Sequence, residues 1–132
     1  MDLQHTLADY FAARSDIAAA VLFGSAAAGR LRADSDIDLA LLFDPAHLPD
    51  TEATMRLRAD IEELTRRDVD LVVLNRTSTI LAFQALKTGT LIFCRNRKLF
   101  EAYVVRLISE YADFKRIRRP IEEAVIARRI YG

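Results

Sequence analysis

Two stretches decide the fold: Ala18-Ala19-Ala20-Val21-Leu22-Phe23-Gly24-Ser25 and, after the ten residues Ala26 to Ser35, Asp36-Ile37-Asp38-Leu39-Ala40-Leu41-Leu42-Phe43. Each holds an apolar run of strand length, too continuous to alternate between core and solvent. Such runs belong to strands covered on both faces. The first run ends in a small-residue turn, and the second opens on a carboxylate pair. Both features therefore fall at strand ends of one sheet.

Working outward, Leu3, Leu7, Tyr10 and Phe11 have helical spacing, which predicts a helix from Asp2 to about Arg14. Strands are predicted over 17–23 and 36–43, with a turn into a short helix over 24–29 and a loop over 30–35. Asp44-Pro45 stops the second strand. Pro49-Asp50 starts a helix over 51–66 in which Met55, Ile61 and Leu64 are apolar positions. A third strand spans Val69 to Leu74, a helix spans Ser78 to Lys87 and ends at Thr88-Gly89, and a short strand runs from Thr90 to Cys94. From about Lys98, residues Leu99, Phe100, Tyr103, Val104, Leu107, Ile108, Tyr111 and Phe114 keep one helical face apolar. Pro120 is expected to break that helix, leaving a short final one over 121–130. The fold class is α/β (α+β): a small mixed β-sheet of about four strands covered by helices.

The 132 residues make one domain, 1–132, and the 52% apolar composition can fill a core. No run approaches the roughly 20 apolar residues that span a bilayer, and the amino terminus shows no basic region leading an apolar one, so neither membrane nor export is expected. The single cysteine, Cys94, rules out a disulfide within the chain and fits the cytoplasm. Net charge is zero, but residues 95–132 carry ten Lys/Arg against five acids. This basic end, about 97–132, is a candidate docking segment for a partner. Neutral net charge and a pI near 6.7 argue against direct nucleic-acid binding.

A strand that ends in Gly24-Ser25 and turns into a helix directs unpaired N–H groups outward, where they and the helix dipole favour phosphate. Gly24 admits close approach of a polyphosphate, and the Ser25 hydroxyl can donate to it. Gly29 closes the small helix. A glycine–serine pair after a strand is, on its own, most often an ordinary turn. Asp36 and Asp38, two apart on a strand, point to one face with Cα atoms about 6.5–7 Å apart. Held together they are costly without a cation, and Mg2+ is the natural one; taken alone they read equally well as a solvated strand edge. Asp70, leading into Leu71-Val72-Val73-Leu74, is a third carboxylate at a strand end, able to ligate metal or to accept a hydroxyl proton. A surface aspartate at the start of a strand is the competing reading. The conjunction of all three features is the chemistry of nucleotidyl transfer.

Gly24-Ser25, ten residues, then Asp36-Ile37-Asp38-Leu39 resembles the signature of the minimal nucleotidyltransferases (MNT domains) of the DNA polymerase β superfamily, and Asp70 falls where that family keeps its third acid. The likeness covers roughly 17–94. The small size and the helical end with Tyr111-Ala112-Asp113-Phe114 resemble, more narrowly, the MNT antitoxins of HEPN/MNT toxin–antitoxin pairs. One departure stands out: Ala28 occupies the place of a frequent family arginine before the second glycine, with Arg30 just beyond it. The resemblance implies a Mg-dependent enzyme that moves AMP, or another NMP, from ATP to a hydroxyl of a HEPN-type toxin. Asp36, Asp38 and Asp70 would be the catalytic residues and the ligands of two Mg2+ ions. Gly24, Ser25, Gly29 and Arg30 would bind the nucleotide. The alternatives are a small-molecule, aminoglycoside-type nucleotidyltransferase and a non-catalytic antitoxin that masks its partner.

Overall fold

The computed structural model describes residues 2–24 and 36–131, with side chains through Arg116. In chain order the elements are α1 (Leu3–Ala12), β1 (Ile17–Phe23), β2 (Ile37–Phe43), a 3-10 turn (Pro45–His47), α2 (Thr51–Thr65), β3 (Val69–Val73), α3 (Thr79–Thr88), β4 (Thr90–Cys94) and α4 (Arg97–Tyr131). The described strands form a four-stranded mixed sheet in the order β3-β2-β1-β4. Strand β1 is antiparallel to both β2 and β4, and β2 runs parallel to β3.

Helices cover both faces, which is why the central strands read as continuous apolar runs. Ile37, Leu39, Leu41 and Phe43 of β2 join Leu7 and Phe11 of α1 and Leu57 and Ile61 of α2 in one core. Ala40 and Leu42, of opposite parity, join Ala82 and Ala85 of α3 and Tyr103 and Leu107 of α4 in the other. The alanines of β1 and β2 on this second face leave room for α3 and α4 to lie close.

Helix starts follow side-chain capping. Asp2, Asp50, Ser78 and Asn96 accept from the backbone N–H of Gln4, Ala53, Leu81 and Leu99. Asn75 clamps the far end of the sheet: its Oδ1 accepts from Phe43 N at 2.8 Å and its Nδ2 donates to Phe43 O at 2.9 Å.

Four expectations are corrected. Strand β2 begins at Ile37, leaving Asp36 just ahead of it. Helix α4 runs unbroken through Pro120 to Tyr131; a proline forfeits one hydrogen bond and bends an axis, which need not end a long helix. In α2 the buried residues are Leu57 and Ile61, while Met55 is exposed. On α4, Ile108 also faces outward. The expected short helix over 24–29 and loop over 30–35 lie outside the described residues beyond Gly24.

Candidate active site

Strand β1 ends at Phe23, and Phe23 is the cross-strand partner of Asp38 at the start of β2. Gly24 therefore leaves the sheet directly beside Asp38. Its φ of +71° lies in the left-handed region that favours glycine. A Cβ built on Gly24 would land on Asp38 Oδ2. Two independent constraints, one of backbone angle and one of space, thus select glycine here.

Across the parallel β2–β3 pair, Ile37 is in register with Val69 and Asp38 with Asp70. Residues in register on neighbouring strands point to the same face. For Asp38 and Asp70 that is the face covered by α3 and α4, since Ala40, Leu42, Val72 and Leu74 share their parity and belong to that core. The Asp70 carboxyl group lies near enough for its charge to act on Asp38 from the same face. Asp38 is half-buried, whereas Asp36 and Asp70 are exposed. Burial holds the Asp38 carboxyl above its ordinary range, the Asp70 charge raises it further, and the Asp36 charge adds to both. Two carboxyl groups so placed share a proton or need a cation.

The structure thus brings together Gly24, Asp38 and Asp70, with Asp36 near enough to act through its charge. Ser25, Gly29 and Arg30 lie outside the described residues. Among the described residues, no three His, Cys, Asp or Glu side chains stand together as a preformed metal cage. The donor chemistry nonetheless fits a hard divalent ion: the oxygens belong to carboxylates whose like charges act on Asp38, and among the described residues no cation opposes them there.

The polymerase beta nucleotidyltransferase family matches residues 5–98, which include all four of these positions. This chain belongs to that family. It is an enzyme of the nucleotidyltransferase class, as the motif implied. It is 33% identical over 106 residues to the protein adenylyltransferase MntA of Shewanella oneidensis, covering 80% of this chain and 74% of that protein. It is also similar to a chain from the crystal structure of a toxin–antitoxin with AMP-PNP, with a TM-score of 0.79 and 28% identity over 94% of this chain and 98% of that one. A structure of a tri-AMPylated Shewanella oneidensis HEPN toxin in complex with MNT antitoxin matches with a TM-score of 0.73 and 26% identity, over 95% of this chain and 97% of that one.

Within this nucleotidyltransferase, Gly89 is a position whose importance the linear sequence hid. It reads as an ordinary helix-ending glycine, yet its φ is −91° and its backbone is extended. A Cβ there would meet Val21 Cγ1 at 2.5 Å and Leu22 O at 3.0 Å. Gly89 lets the end of α3 close onto β1 two residues from Gly24's own approach to β2. No local signal marks its approach to β1, because Leu22 lies about 67 residues away in sequence. Among the described residues no helix is long and apolar enough to cross a membrane.

Proposed function

We propose that this nucleotidyltransferase transfers AMP from ATP to a hydroxyl of a HEPN-type toxin and thereby silences it. The observation that carries the chemistry is the Asp38–Asp70 carboxyl pair abutting Gly24 at one end of the sheet. The target follows from the relatives: a protein adenylyltransferase, and assemblies holding AMP-PNP or a tri-AMPylated HEPN toxin.

In this reading Asp36 and Asp38 would hold two Mg2+ ions, and Asp70 would complete the ligand set for one of them. Bound Mg2+ would supply positive charge to the triphosphate and lower the pKa of the acceptor hydroxyl. The acceptor oxygen attacks the α-phosphorus, the bond from that phosphorus to the leaving pyrophosphate breaks, and the hydroxyl proton passes to the Asp70 carboxylate. Gly24 keeps the chain close to the phosphates. Ser25, Gly29 and Arg30 bind the departing pyrophosphate through backbone N–H groups, a hydroxyl and a guanidinium. The reaction is placed in the cytoplasm, where ATP is abundant and Cys94 stays reduced.

The test uses ATP labelled at the α-phosphate, Mg2+, the full chain and a HEPN-type toxin. Label should appear on a hydroxyl side chain of the toxin and vanish with Asp38→Asn. Label on hydroxylated small molecules instead of protein would favour the aminoglycoside-type reading. Full protection from the toxin by Asp38→Asn would mean masking without transfer.

A further inference from the structure

Helix α4 begins at Arg97 and runs for 35 residues, whereas the family match ends at residue 98. Almost all of α4 therefore lies beyond the family match, although one side of it packs on the second core. The likeness to the toxin–antitoxin chain with AMP-PNP covers 94% of this chain, a share too large to omit a 35-residue helix. This helix is thus shared with a chain that works in a two-protein assembly.

One side of α4 is used up within the chain. Leu99, Phe100, Tyr103 and Leu107 pack on the second core, and the Tyr111 ring stacks on Phe83 of α3 at 3.8 Å with 2° between planes. The other side carries an apolar stripe with no such use. Val105 is 64% exposed and Ile108 54%, and Ala112 is exposed one turn on. Their spacing of three and then four residues aligns them along a single helix face.

The charges around the stripe are largely matched within α4 itself. Arg97 pairs with Glu101 at 3.1 Å, Arg106 with Glu110 at 3.9 Å and Arg116 with Asp113 at 3.3 Å, while the Lys115 ammonium sits over the Tyr111 ring. What this face offers a partner is apolar surface bordered by self-neutralised charge. That matches the groove between side-chain ridges of another helix, and it suits a charged or extended ligand poorly.

We propose that the Val105–Ile108–Ala112 stripe of α4 is the seat for an apolar helix of the HEPN-type partner. This rests on the functional reading above. Tyr103, on the buried side of α4, donates from its hydroxyl to Leu74 O at the exit of β3. Asp70 lies four residues earlier along the same strand direction, about 13 Å away. Tyr103 thus ties α4 to the end of β3 away from the acids.

The test is binding of the full chain to a HEPN-type toxin, by titration calorimetry. Val105→Asp with Ile108→Asp should weaken the complex by at least about tenfold, with ATP affinity and melting temperature unchanged. Val105→Ser with Ile108→Ser, milder for the helix, should weaken it in the same direction. Wild-type affinity should change by less than about threefold between low and high salt, because the contact is apolar. Equal affinity of wild type and both double variants overturns the proposal, as does a steep loss of wild-type affinity with salt, which would move docking to the basic residues 115–119. Loss of self-association in the variants with toxin binding intact also overturns it, in favour of a second copy as occupant. A wild-type chain that neither binds nor modifies the toxin would overturn the functional reading itself.

Discussion

Asp38 and Asp70 stand in register on parallel neighbouring strands, near enough for the Asp70 charge to act on Asp38, although 32 residues separate them in the chain. Burial and the Asp70 and Asp36 charges all push Asp38 upward, and among the described residues no cation opposes them there. The pair is costly as it stands, which is the mark of a site arranged for something it binds.

Replacing either acid should separate activity from stability. Asp70→Asn is expected to slow AMP transfer by about 10²–10⁴-fold, the range for loss of a positioned base, and Asp38→Asn to reduce it at least as far. In EDTA, Asp38→Asn should melt no lower than wild type, because like-charge repulsion is relieved. Radiolabel transfer and thermal denaturation in parallel read the two effects. A marked drop in melting temperature without metal would make Asp38 a structural residue.

Gly24→Ala places a methyl group where Asp38 Oδ2 sits and forces a left-handed backbone on a residue with a Cβ. The stability cost should be about 1 kcal/mol, since the Asp38 side chain can swing aside. The activity cost should be far larger, because swinging aside dismantles the carboxyl pair. Urea denaturation and transfer assays measure the two, and near-wild-type transfer would show that Asp38 tolerates displacement.

Acid sensitivity should centre on Asp16. Arg14 grips its carboxylate with two donors, Nε at 3.1 Å and Nη2 at 2.9 Å, tying the end of α1 to the start of β1. The Arg14 hydrogen bonds hold Asp16 below its ordinary value of 3.8. A depressed folded-state pKa contributes stability above pH 3.8 that is lost as pH falls through the lower folded value. Asp16→Asn should therefore flatten the acid limb of the stability–pH curve while lowering stability at neutral pH. Parallel curves for variant and wild type would refute this.

Tyr103→Phe removes a buried hydroxyl that donates to Leu74 O at 3.0 Å. Burial pushes this phenol up to about 12, so it remains a donor throughout the physiological range. Its loss should cost about 0.5–1.5 kcal/mol and loosen α4 from the exit of β3. Hydrogen exchange in α4 should rise with little change in ATP affinity.

Much of the architecture was legible in order. Apolar runs without alternation announced buried strands, and the helical spacing of Leu3, Leu7, Tyr10 and Phe11 and the start at Pro49-Asp50 placed α1 and α2. Two features were less legible for local reasons. Pro120 reads as a breaker because helix interiors disfavour proline, yet a 35-residue helix can absorb one lost hydrogen bond. Ile108 has helical spacing to Val104 and Tyr111 yet faces outward, and Met55, two and six residues from the buried Leu57 and Ile61, is apolar but stands off their face of α2.

The sequence by itself determined the strand and helix periods, the small-residue turn at Gly24, and the clustering of acids at strand starts, because each is written in residues close together along the chain. Only the tertiary structure decided that β3 lies beside β2 in parallel, that Asp70 therefore meets Asp38, that Gly24 lies against the Asp38 side chain, and that Gly89 lies against Val21 and the Leu22 carbonyl. Strand partners and close approaches join segments tens of residues apart. Their selection depends on how all the apolar faces are buried at once, and no local pattern records that.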